Sequence, residues 1–419
     1  MILHYKKLWP TLLAISTLQI TLSAHEKPRL TVVFVIDQFA YHYWIKLDTH
    51  FKYGLRTLAD KGLVYSNSYF PHGGPATATG HTALNTGVYA KDHGIVGNSW
   101  VDCNGKKVAC DGCDTEKAAV FTANGSTCNY GKSAHHIMTN GISDQFVLAD
   151  TPENPHYACS VSVKSRAAIC TANKLGKAFW IDSDSGLATT SKAYFQTLPT
   201  WIVTFNKQQH TDTLRNTDWQ LAYEPTNPAY RFNNICNYAH ANAKGTLIGK
   251  KPTFAHMKKH KKECELFFAT PQANELTFRL AKECMTHHIS AQNNNNLLLW
   301  VCVSGLDKAG HMFGPESVEL IDMIYHLDKQ LQDFMDFSVR HMQSDNILFC
   351  LTADHGVECI TELLQKKGLD SARRIQSSDL INRINKKIES SYGVAKVIHD
   401  IKQPNLHLNR KALEALPMA

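Results

Sequence analysis

The stretch Ile347-Leu-Phe-Cys-Leu-Thr352 runs without a break into Ala353-Asp354-His355-Gly356. A short apolar run that ends in an acid and a histidine is the pattern of a buried parallel strand delivering polar groups at its carboxyl end. The pattern occurs twice more. Leu30-Thr-Val-Val-Phe-Val-Ile36 ends at Asp37, and Asn296-Leu-Leu-Leu-Trp-Val-Cys-Val303 is followed closely by Asp307. Around these runs the periodicity turns helical. A helix is expected over Tyr53–Lys61, stopped at Gly62. Val64–Tyr69 reads as extended. The turn His72-Gly-Gly-Pro75 then feeds a small-residue segment, Thr77–Gly87, that reads as a helix start. Ser317–Met335 has the spacing of a strong amphipathic helix. Strands alternating with helices, with polar residues at the strand ends, predict an α/β fold. Its mostly parallel central sheet is flanked by helices, and its ligand site lies along the carboxyl edge. Residues 100–290 are less regular and are expected to be cap insertions over that edge. They hold a Lys-rich run from Lys250 to Lys262, expected to be a solvated face.

The composition excludes collagen-like and disordered classes. Lys and Arg exceed Asp and Glu only as 44 to 37, which fits an anionic substrate and makes no case for nucleic acid. Residues 1–24 carry Lys6 and Lys7 and then an apolar stretch ending in Leu-Ser-Ala24, the form of a cleaved secretory signal. That stretch is shorter than the roughly 20 residues that span a bilayer. A periplasmic or secreted location follows as an expectation, with no stable membrane insertion after cleavage. The 12 cysteines, an even number, agree with an oxidising compartment. Cys103, Cys110, Cys113 and Cys128 fit two disulfides or a structural zinc site, with disulfides expected. Cys159 and Cys170 are expected to form a third bridge. Cys302 and Cys350, inside apolar runs, are expected to be buried thiols.

Asp37, Asp307 and Asp354-His355 stand at three strand ends, and Asp307 opens an Asp-x-x-x-His pair with His311. Carboxylates gathered on one edge repel unless a cation neutralises them. Asp and His are suitable zinc ligands, and two metals about 4 Å apart would grip a phosphoryl group between them. The segment Pro75-Ala-Thr-Ala-Thr-Gly-His81 offers a hydroxyl nucleophile at a helix start. Thr77 and Thr79 both qualify from this local pattern. No G-x-x-x-x-G-K-[ST], H-E-x-x-H or G-x-S-x-G motif is present.

Taken together, VIDQF at 35–39, PATATGHTALNTG at 75–87, HGIVGNSW at 93–100, VKSR at 163–166, KAFWID at 177–182, SGLDKAGHMFGP at 304–315 and TADHG at 352–356 carry a resemblance. The chain resembles the alkaline phosphatase superfamily over about Arg29 to Arg410. More narrowly it is similar to bacterial phosphate-irrepressible alkaline phosphatases with a Thr nucleophile, relatives of the nucleotide pyrophosphatase/phosphodiesterases. The resemblance implies an alkaline phosphatase-like fold for residues 25–419 and a zinc-dependent phosphomonoesterase working through a phosphothreonine. Thr77 then matches the nucleophile, and Asn98 an amide that binds a phosphoryl oxygen. Asp37, Asp354, His355 and Thr77 match the surroundings of one zinc, and Asp307 and His311 two ligands of a second. Lys164 and Arg166 match a Lys-x-Arg pair on the remaining phosphoryl oxygens. The implied partners are small-molecule phosphate esters.

That Lys-x-Arg pair bears on substrate class. A monoester offers more charge and more free oxygens than a diester, and two cations reward both. The family's second zinc takes a further His from a C-terminal segment that has no match here, so that site is expected to be incomplete. The alternatives are a phosphodiesterase or nucleotide pyrophosphatase on the same scaffold, or an inactive remnant.

Overall fold

The computed structural model describes residues 27–70, 73–102, 105–114, 116–224, 226–233, 266–402 and 405–416. The three apolar runs form the expected strands β1 (Leu30–Ile36), Asn296–Val303 and Ile347–Thr352, residue for residue. The central sheet has six strands. The others are β2 (His156–Ser162), β3 (Lys177–Ile181) and β4 (Ala188–Thr189); the runs at 296–303 and 347–352 are β5 and β6. The spatial order is β6-β1-β5-β2-β3-β4, parallel except for the β3–β4 pair.

Five helices matter for the site. They are α1 (Thr77–Thr86), α2 (Ser165–Ala172), α3 (Pro271–His288), α4 (Gly305–Phe313) and α5 (Val318–Met342). One face of the sheet packs on α3 and α5 through an aromatic knot. Phe34 meets Phe334 edge to face at 5.6 Å, and Phe278 lies 5.7 Å from Phe334. Helix α5 runs to Met342, beyond the expected end at Met335, because its buried face continues through Ser338, whose hydroxyl donates to the Phe334 carbonyl oxygen, and Met342. The opposite face carries the smaller cluster of Ala78, Ile169, Cys170 and Trp180.

Two expectations are corrected. Val64–Tyr69 is not a strand; it is turn and loop with Leu63, Tyr65 and Tyr69 exposed. Residues 100–290 are only partly caps, since β2, α2, β3, β4 and α3 belong to the core. Strand β2 was illegible because Ser160 and Ser162 break its apolar run; both hydroxyls are buried and hydrogen-bonded, Ser160 to Thr171 at 2.7 Å. The proper insertion is a set of short hairpins between Ser99 and Lys132.

The cysteine expectation also changes. Cys110, Cys128, Cys159 and Cys170 are thiols. Cys159 and Cys170 cannot pair, because they sit in different core clusters on opposite faces of the sheet. Cys302 and Cys350 are thiols, as expected, with Cys302 fully buried and Cys350 partly so. Residues 1–24, the run from Lys250 to Lys262 and Cys103 lie outside the described residues. Among the described residues no helix is long and apolar enough to cross a membrane.

Candidate active site

Four neighbouring strands end at one edge of the sheet. Asp37 follows β1, Lys164 follows β2, Asp307 lies in the first turn of α4 after β5, and Asp354-His355 follow β6. Helix α1 is held against this edge by a close approach. A Cβ at Gly80 would run into the Asp354 carbonyl oxygen, so only glycine lets α1 sit there. His81, fully buried, donates from Nδ1 to the Thr77 carbonyl oxygen at 2.8 Å and lies 3.1 Å from Asp354 Oδ2. Thr77 is thereby fixed at the first position of α1, beside the acids. No side chain caps that helix start at Ala76, and the Ala78 N–H donates to Asn98 Oδ1 at 2.9 Å. This bond takes the Asn98 oxygen and leaves its amide hydrogens for another acceptor. Thr79 differs: its hydroxyl is buried and without a partner.

Donor atoms of Asp37, Asp307 and His355 lie within 4.8 Å of one another. His355 donates from Nδ1 to the Gly356 carbonyl oxygen at 2.9 Å, which turns Nε2 toward Asp37 Oδ1 at 3.3 Å and Asp354 Oδ2 at 3.6 Å. Asp354 Oδ1 accepts the backbone N–H groups of Gln38 at 3.1 Å and His355 at 2.9 Å. Burial would raise the Asp37 carboxyl, but Lys164, His355 and His81 hold it well below the usual carboxylate range. Burial and the neighbouring Asp37 charge raise Asp354 against the pull of His81. Burial would lower His355, yet its hydrogen bond to Asp37 and the charges of Asp354 and Asp37 push it up to about 9.

Lys164 is buried with its ammonium on both Asp37, at 2.6 Å, and Asp307. Burial alone would lower its pKa; the two carboxylates raise it instead. Arg166 follows at the second position of α2. Its Nε is buried without a hydrogen-bond partner. Lys164 and Arg166 open onto a cleft lined also by Tyr130, Lys132 and Trp180.

Asp307 is buried, and His311 sits 3.2 Å from its Oδ1 with its own side chain 74% exposed. Burial and Asp37 raise the Asp307 carboxyl, while His311 and Lys164 bring it below its usual value. His399 and His407 lie on a hairpin of Ile398–Lys402 and Asn405–Leu408. Among the described residues, neither joins Asp307 in a cluster of three or more donors.

The donor set fits a divalent cation. Asp37 Oδ1 and Asp354 Oδ2 are buried oxygens met only by imidazole nitrogens, His355 Nε2 facing both and His81 Nδ1 facing Asp354. Such oxygens are costly unless a cation takes them up.

Two residues of the site escaped the sequence reading. Gln38 adopts φ 68°, a left-handed conformation rare outside glycine, and spans the edge. Its N–H reaches Asp354, and its side-chain amide donates to Asp307 Oδ1 at 2.9 Å. His81 orients Thr77. Both lie inside quoted motifs, but nothing in their spacing marks the contact.

The sequence model of the type I phosphodiesterase / nucleotide pyrophosphatase family matches residues 31–412. The chain is 30% identical over 347 residues to the alkaline phosphatase PhoV of Synechococcus elongatus, covering 81% of this chain and 61% of PhoV. It is 28% identical over 402 residues to the alkaline phosphatase PafA of Elizabethkingia meningoseptica, covering 93% and 71%. The chain thus spans less than two thirds of PhoV's length. The crystal structure of wild-type alkaline phosphatase PafA superposes with a TM-score of 0.79 at 26% identity, covering 93% of this chain and 73% of that one. The matched span takes in every strand of the central sheet and every acid on its edge, and on that basis the chain belongs to the type I phosphodiesterase / nucleotide pyrophosphatase family, within the alkaline phosphatase superfamily.

Proposed function

We propose that the chain hydrolyses phosphate monoesters through a phosphothreonine on Thr77, with zinc as its metal. The observation that carries this reading is the pair of cations on the cleft beside the acids: Lys164, and Arg166 with its unpartnered buried Nε. A monoester presents about two charges and three free oxygens, which two cations and the Asn98 amide match. A diester carries less charge and fills one of those positions with a second substituent.

Asp37, Asp354 and His355 would hold one zinc, and Asp307 and His311 would contribute to a second. When bound, these ions supply positive charge for the attacking and leaving oxygens. The chain's own groups do the rest. His81 and the α1–Asp354 packing fix the Thr77 hydroxyl at the helix start. The Thr77 oxygen bonds to phosphorus as the ester oxygen departs and takes up a proton. Water then adds to phosphorus, the Thr77 oxygen is released, and inorganic phosphate leaves. Asn98 and Arg166 hold the non-bridging oxygens throughout.

Export is part of the same reading. It is supported by Lys6 and Lys7 ahead of an apolar stretch ending at Ala24. Small phosphate esters met outside the cytoplasm are the substrates it implies.

The test is a rate ratio. Purified enzyme should turn over an aryl phosphate monoester faster than the matching diester. Lys164→Ala and Arg166→Ala should each lower monoester turnover about ten- to a hundredfold, from about 1.5–3 kcal/mol per charged hydrogen bond, and spare the diester. A diester preference that survives in both variants would assign the chain to the diesterase reading.

A further inference from the structure

A second set of metal-type donors lies well away from the carboxyl edge. Cys159 on β2 and Cys284 in the last turns of α3 are both fully buried, and His288 closes the same helix. Their donor atoms lie within 4.8 Å of one another. Cys159 is five residues before Lys164, about 16 Å back along the strand direction. It therefore shares no ligand with the carboxylate cluster.

The histidine is oriented as a ligand would be. Its Nδ1 donates to the Cys284 carbonyl oxygen at 2.8 Å, which turns Nε2 to Cys159 Sγ at 3.6 Å. A backbone carbonyl on the other ring nitrogen is the usual device for fixing a metal-binding tautomer. The spacing also matches. Zinc–sulfur bonds of about 2.3 Å and zinc–nitrogen bonds of about 2.0–2.1 Å at a tetrahedral angle separate S and N by about 3.6 Å. The thiolate is the form that binds metal.

We propose that Cys159, Cys284 and His288 form a structural site for a thiophilic divalent ion of the zinc class, clamping β2 to α3. Three protein donors fill three corners of a tetrahedron. The fourth falls to a small exogenous ligand, since no other described residue joins the cluster. The site lies between the sheet and α3, and its role is to hold the strand that leads to Lys164 against that helix. Binding releases one proton from the Cys284 thiol and any proton held by the Cys159–His288 pair, with no change of oxidation state.

Cobalt separates this site from the carboxylate cluster, because only a sulfur donor gives a thiolate-to-cobalt charge-transfer band in the near ultraviolet. The full chain, stripped with chelator under reducing conditions, should develop that band on titration with Co2+. Zn2+ should displace it. The band should persist in Asp37→Asn and vanish in the Cys159→Ser, Cys284→Ser double variant. His288→Asn, at a partly exposed residue, should keep the fold and raise the Co2+ dissociation constant by roughly tenfold or more. Absence of the band in the unaltered chain would overturn the proposal, and so would its survival in the double cysteine variant. A non-reduced peptide map of the protein as isolated that joins Cys159 to Cys284 would also overturn it, making the pair a crosslink.

Discussion

The two halves of the carboxyl edge are built to different standards. Around Asp37 the side chains are closed in: Asp37 and Asp354 are at most 1% exposed and His355 11%, each oriented by at least one further hydrogen bond or ion pair. At the other half Asp307 is also buried, but its partner His311 is 74% exposed, and among the described residues the contact given for it is the one to Asp307. Burial with orientation is what makes a donor set hold a metal tightly. The first half is preorganised. The second is not.

This contrast can be broken at its strongest point first. Thr77→Ala removes the hydroxyl at the first position of α1 and should cost at least about a thousandfold in turnover. Thr79→Ala, whose hydroxyl has no partner, should be far milder. The reverse ranking, measured with one monoester substrate, would place the nucleophile in the wrong register.

Next comes the metal itself. Asp37→Asn should weaken the tighter zinc by about a hundredfold or more, while His311→Ala should change that affinity less than about tenfold. Competition against a chromophoric chelator measures both. Equal losses would mean that the two halves form a single site of equal quality.

A smaller effect tests the role of Lys164. In chelator-treated protein, Lys164→Ala takes the ammonium from between Asp37 and Asp307 and leaves only the imidazoles of His355 and His311 beside them, at a cost of about 1.5–3 kcal/mol. Added zinc should recover most of that loss. Denaturant unfolding with and without zinc reads the difference; a loss that zinc does not recover would make Lys164 a packing residue.

Much of the first half was legible in the sequence, because each acid follows a continuous apolar strand. LTVVFVI delivers Asp37 and ILFCLT delivers Asp354-His355 without ambiguity. Strand β2 was not legible, since Ser160 and Ser162 hide its burial behind hydrogen bonds made to distant residues. Gln38 and His81 were missed for a related reason. Each acts across more than 250 residues of chain, His81 on Asp354 and Gln38 on Asp307 and Asp354, and local pattern carries no trace of such partners. The cysteines teach the same lesson. Cys159 and Cys170 are near in sequence, but Cys159 on β2 faces one side of the sheet while Cys170 on α2 packs against the other.

The most direct test of the account is the site of phosphorylation. Enzyme mixed with a phosphate monoester, quenched in acid during turnover and digested, should yield one phosphorylated peptide, with the phosphate on Thr77. Phosphate on Thr79, or full turnover with no phosphorylated peptide at all, would contradict it.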